Sequence, residues 1–176
     1  MSVLLLITPQ EVKDLTSMSK NTDDSKFRHF IQSAQDEYIK PAIGETCYNN
    51  LLNAVSNNDL TANETILLDG DDMSFAGLKT ALAWWVLWLA YPSLWLTIGS
   101  STIYKKSGDG FDSVSKDDFL MLRKTAAKQA NYYTNYLIKY INENKDSYTC
   151  YVCDGLTDVI DETGDIGFAS DWDDIK

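Results

Sequence analysis

TPQEVKDLTSMSKNTDDSKFRHFIQSAQDEYIKPAIGETCYNNLL, residues Thr8 to Leu52, reads as three helices in a row, each with its own start or stop signal. Thr8 is an N-cap, Pro9 takes the first helical position and Glu11 stands at N3, which together make a capping box. Thr22 or Asp23 offers a second cap, and Phe27, Phe30, Ile31, Ala34 and Tyr38 follow at helical spacing until Pro41, where the run is expected to end. After the corner at Gly44 a further helix runs to about Val55. The stretch fixes an all-α class, and none of its residues looks catalytic.

Working outward, Asn57 to Gly70 is a polar loop with a second capping box, Thr61 with Glu64. Lys79 and Lys105 enclose a run without a charge. Within it, Ala81 to Ile98 (ALAWWVLWLAYPSLWLTI) approaches the roughly 20 apolar residues of a membrane span. A hydrophobic anchor is therefore the alternative reading. Pro92 interrupts the run, its tryptophans sit in the middle rather than at two interfaces, and its flanks lack a basic asymmetry. The favoured reading is a central helix from Ser74 to Tyr91, stopped by Pro92. Trp84, Trp88, Tyr91 and Trp95 make one aromatic stripe, with Trp85 and Leu89 on another face. A domain of this size covers one such face easily and two with difficulty, so the tryptophans Trp84, Trp85, Trp88 and Trp95 become candidates for contact with another subunit.

Gly99 to Ser113 is rich in Gly, Ser and Asp, and Thr102–Lys105 is expected to pair with the residues after Gly110 as a short hairpin around Ser107–Gly110. Ser115 then caps a long helix that runs to about Asn144, with Asp117 and Asp118 favouring its dipole. Phe119, Leu122, Ala126, Ala130, Tyr133, Leu137 and Ile141 form its apolar face. Tyr132, Tyr136 and Tyr140 form a second face, also an interface candidate. The expected organisation is a helical domain over 1–149, a small bundle of four to five helices with a hairpin-like insertion at about 99–113. An extended acidic arm over 150–176 follows.

The net charge of −11 divides unevenly. From Asp154 to Lys176 eight acids face one lysine, a net of −7, which leaves −4 for the preceding residues. Neither value suits a surface that grips nucleic-acid phosphates. Within the arm, Val159, Ile160, Phe168 and Trp172 are candidates for docking onto the body or a partner.

Little in the chain suggests chemistry. Cys150-x-x-Cys153 lacks the second pair that a structural zinc needs, and the weak metal candidates Cys150 and Cys153 have only Cys47 and His29 to call on. With three cysteines the sequence suggests no disulfide framework. Ser2–Ile7 is too short for a signal peptide, so a reducing, cytosolic setting is expected. Asp69–Asp72 and Asp109–Gly110 lack EF-hand spacing, and no phosphate loop, nucleophile elbow or HExxH occurs. The expectation is a protein that is no enzyme and takes no cofactor.

The segments LLITPQEVKDLT (Leu5–Thr16) and DDSKFRHFIQSAQDEYIKPAIGETCYNNLL (Asp23–Leu52) resemble head–tail connector (adaptor) proteins of tailed bacteriophages. The Ile39-Lys-Pro-x-Ile-Gly44 corner, followed by Tyr48 and paired leucines, is similar to the variant in crAss-like phages of gut Bacteroidetes. The later order of apolar helix, Gly/Ser insertion, long helix and extended tail fits as well. The tryptophan density from Trp84 to Trp95 and the acidic extension depart from the pattern. The resemblance implies a virion protein at the head–tail junction, made in the host cytoplasm. It implies a closed, commonly dodecameric ring under the portal protein that prolongs the DNA channel and receives the next tail or ring protein. DNA would pass through the lumen without sequence-specific binding, and no membrane is involved.

Overall fold

The computed structural model describes residues 4–18, 20, 22–71, 74–98, 103–105 and 115–150, and within these it is almost wholly helical. In chain order come α1 (Pro9–Leu15), a 3-10 turn (Asp24–Lys26), α2 (Arg28–Ala34), a π turn (Gln35–Ile39), α3 (Lys40–Ile43), α4 (Glu45–Asn57), α5 (Ala62–Asp69), α6 (Gly77–Trp95) and α7 (Lys116–Glu143). Both capping boxes form as expected. The Thr8 and Thr61 hydroxyls accept the N3 amides, and Glu11 and Glu64 reach back to the cap amides at 2.8 Å. Ser115 caps α7 by accepting the Asp118 amide at 3.1 Å. These caps satisfy amides that no helical carbonyl can reach.

Two prolines behave differently from the expectation. The helix does not end at Pro41 but continues through it to Ile43 and stops at Gly44, whose φ of +82° no L side chain favours. The π turn just before it, in which the Lys40 amide donates to the Gln35 carbonyl, supplies the wider register that an interior proline needs. Pro92 likewise lies inside α6, which runs on to Trp95. Leu96–Ile98 (β1) then pairs antiparallel with Ile103–Lys105 (β2), Thr97 opposite Tyr104. Of the stretch Thr102–Lys105 expected to be a strand, Ile103–Lys105 is one, but it pairs with Leu96–Ile98 upstream and not with the expected partner downstream. The residues after Gly110 that were expected to pair with it lie outside the described residues.

The core sits around α6, on which α1, α2, α5 and α7 all pack. Leu78, Ala81, Leu82, Ala83, Val86 and Ala90 are fully buried, as suits a helix apolar on every side. Removing such side chains from water is the main stabilising term, about 25 cal/mol per Å² of apolar surface. Polar groups tie the N-terminal segment down. Gln35 is buried, accepts the Leu6 amide at 2.7 Å and donates to the Leu4 carbonyl and the Tyr48 hydroxyl. Lys13, its side chain 4% exposed, donates to the Lys20 carbonyl at 3.2 Å and pairs with Asp24. Among the described residues, no helix is long and apolar enough to cross a membrane.

Candidate interaction surface

The aromatic residues of α6 come first, because they were expected to offer a face. Trp85 stacks on Tyr38 with ring centroids 3.8 Å apart, and its indole N–H donates to the Thr134 hydroxyl at 2.9 Å. Trp88 meets Trp85 edge-on and lies 4.8 Å beneath the Arg123 guanidinium, a cation–π contact. Burial raises the Tyr38 hydroxyl pKa; Glu37 adds to the rise and Arg123 opposes it. Trp85 and Trp88 are 4% and 6% exposed, so they are core within one chain and not a free subunit face. The reason is non-local. Tyr38 arrives from the π turn and α7 from the far end of the sequence to close the face that seemed uncovered. Trp84 is only partly buried, and the side chain of Trp95 lies outside the described residues.

The tyrosines of α7 divide in the same way. Tyr136 donates to the Ser74 carbonyl at 2.7 Å, and Tyr140 stacks on Phe75 at 3.9 Å. Both grip the corner between α5 and α6, where the Asp71 carboxylate accepts the Ser74 and Phe75 amides. That corner closes on itself. A Cβ on Gly77 would come within 2.5 Å of the Gly70 nitrogen, and both glycines have φ near or above +78°. Tyr132 alone stays open, 60% exposed, its ring stacked on Tyr136.

Tyr132 belongs to a larger feature. Met121, Thr125, Lys128, Tyr132, Asn135 and Lys139 recur at alternating steps of four and three, which puts them in one line down the helix. Thr125, Lys128, Asn135 and Lys139 are exposed, and Met121 is 62% exposed. At the N-terminal end Leu120 and Leu122 flank Met121 and are exposed too, so Leu122 departs from the apolar face expected to pack inward. Phe119 beside them is buried against Tyr91. The start of α7 thus presents three adjacent apolar side chains over more than half of the helix circumference. These three adjacent apolar side chains in solvent are the candidate interaction surface.

The opposite end of α7 is tied. Tyr148 is buried and donates to the Asn63 carbonyl at 3.0 Å, and burial is the main cause that pushes its hydroxyl pKa up. Cys150 is joined to Cys47 on α4 by a disulfide, with 5.5 Å between Cα atoms. This corrects the expectation of no disulfide. Two cysteines 103 positions apart carry no spacing signal, and only the fold brings them together. A sulfur in a disulfide is no zinc ligand, so Cys150 is withdrawn as a metal candidate in this state. Among the described residues, no group of three His, Cys, Asp or Glu side chains is placed to hold a metal ion. Cys153 and the arm residues Val159, Ile160, Phe168 and Trp172 lie outside the described residues.

One shallow cleft of about 210 Å³ opens between α1, α5 and α6, lined by Glu11, Asp14, Asp69 and Lys79 among others. Lys79 bridges Glu11 and Asp69, each at 2.7 Å. Burial alone would raise the Glu11 carboxyl, but bonds from Lys79 and Thr8 outweigh it and hold Glu11 below its ordinary value. Burial would likewise lower Lys79, and its two carboxylate partners raise it instead. The cluster is an ion-pair clamp between three helices, and no fixed spacing in the sequence announces it.

A family described as a family of unknown function, DUF6712, matches residues 39–157. No curated protein and no solved structure matches the chain.

Proposed function

For this chain, which belongs to the DUF6712 family, we propose a structural role in a phage virion: it is a subunit of the head–tail connector ring. Copies of the chain close a ring beneath the portal protein, extend the DNA channel and provide the platform on which the next tail or ring protein docks. The observation that carries the reading is the bare start of α7, where Leu120, Met121 and Leu122 stand together in solvent. An apolar cluster of this kind on a rigid helical body suits contact with a neighbouring subunit. A ring needs two non-identical complementary faces, because head-to-tail contacts close by rotation. The net charge of −11 also suits a channel along which DNA slides without being held.

The test is assembly. The purified chain is mixed with a purified phage portal protein and examined by sedimentation and negative-stain electron microscopy. Closed rings, alone or seated on the portal, are the expected result. A chain that stays monomeric and leaves the portal unbound sinks the proposal.

A further inference from the structure

The outer line of α7 has a charge pattern unlike the rest of the protein. From Phe119 to Asn142 the helix carries Arg123, Lys124, Lys128 and Lys139 and not one acid, in a chain whose net charge is −11. Arg123 turns inward over Trp88. Lys124 and Lys128 are exposed and have no ion-pair partner among the described residues, whereas Lys139 reaches only Glu143, at 3.8 Å. Between these lysines stands Tyr132, a solvent-facing ring stacked on Tyr136. A basic strip with an aromatic step suits a segment that is acidic and carries large apolar side chains.

The chain contains such a segment. Asp154 to Lys176 holds eight acids against one lysine, and it sets Val159-Ile160 between Asp158 and Asp161-Glu162, and Trp172 between Asp171 and Asp173-Asp174. We propose that this acidic arm lies back along the outer ridge of its own α7, with acids against Lys124 and Lys128 and an apolar side chain on Tyr132.

Three observations favour this occupant over a second copy of the chain. The arm starts from Cys150, which the disulfide to Cys47 fixes just past the C-terminal end of α7. Lys128 lies fifteen residues before Glu143, roughly 22 Å along the helix at 1.5 Å per residue. The twenty-four residues from Cys150 to Asp174 span up to about 80 Å when extended, so the arm is long enough for its acids to reach Lys124 and Lys128 from Cys150. A tether of this length also holds the arm at an effective concentration in the millimolar range, far above that of a second molecule in dilute solution. The contact is internal to one chain and does not depend on ring formation.

Zero-length carbodiimide cross-linking of the full-length chain, read by mass spectrometry on a mixture of isotopically light and heavy protein, tests the contact. The expected result is cross-links from Lys124 and Lys128 to acids of residues 154–174, each within a single isotopic copy. The double variant K124E/K128E, at exposed positions and checked by circular dichroism, loses these links, and its arm becomes more accessible to limited proteolysis. Adding D158K, D161K and E162K to that variant restores protection. If arm acids link to exposed lysines off α7, such as Lys20, as readily as to Lys124 and Lys128, the proposal fails. It fails also if the charge swap restores nothing. Links found only between light and heavy copies would overturn it in favour of a second copy as the occupant.

Discussion

The two ends of α7 are built from similar residues and treated in opposite ways. Over its C-terminal half every large aromatic but one is engaged: Trp85 of α6 donates to Thr134, Tyr136 to Ser74, and Tyr140 stacks on Phe75. Just beyond, Tyr148 and the Cys47–Cys150 bridge fasten the end of the helix to α5 and α4. Over the first turns Phe119 and Arg123 face the body, while Leu120, Met121 and Leu122 stand in water. A single helix thus joins a half that is braced along its length to a half where Leu120, Met121 and Leu122 add little to the stability of the isolated chain. The contrast teaches that aromatic density does not locate an interface here. Placement relative to the core does.

The sharpest way to break the contrast is Trp85→Ala, which removes a buried ring and its hydrogen bond from the braced half. A loss of about 3–5 kcal/mol is expected in denaturant unfolding, as for other buried Trp truncations. A loss under about 1 kcal/mol would mean that the seam between α6 and α7 is not the core. Next comes the disulfide, which closes a long loop. Adding reductant, or replacing Cys47 with Ser, is expected to lower stability by about 2–4 kcal/mol. Equal midpoints with and without reductant would show that the bridge braces nothing. A smaller step separates the tyrosines. Tyr136→Phe should cost about 0.5–1 kcal/mol through the bond to Ser74, whereas Tyr132→Phe should leave the midpoint unchanged. Smallest in stability, and most telling for function, is the pair Leu120→Ser and Met121→Ser. Unfolding should move by less than about 0.5 kcal/mol, yet ring or portal assembly should disappear. Intact assembly in that pair would return α7's bare end to the status of ordinary surface.

What could be read from the sequence was what is local. Both Thr–Glu capping boxes and the Ser115 cap formed as expected, because each depends on residues three apart. The all-α class followed from the caps and apolar spacing between Thr8 and Leu52, where α1, α2, α3 and the start of α4 lie. The prolines misled because a proline stops a helix only if the neighbouring turn cannot widen, and near Pro41 it does. The tryptophans misled because the partners that bury Trp85 come from about fifty residues away on each side, Tyr38 before it and Thr134 after it. The Cys47–Cys150 bridge and the Glu11–Lys79–Asp69 clamp had no signal at all, since neither has a fixed spacing. The bare leucines and methionine of α7 were half visible. Leu122 sat in the expected apolar pattern, yet at 42% exposure it is not covered by α6 as Phe119 is by Tyr91.

The π turn at Gln35–Ile39 can also be regarded as a single residue inserted into a helix. Deleting one position there would restore ordinary winding and swing everything on one side of it by about 100° relative to the other. Gln35 would leave Leu6 and Tyr48, or Tyr38 would leave Trp85; the two sets of contacts could not both survive. The extra residue therefore sets the angular register between the N-terminal segment and the aromatic seam, and this short stretch should tolerate substitution far better than a change in length.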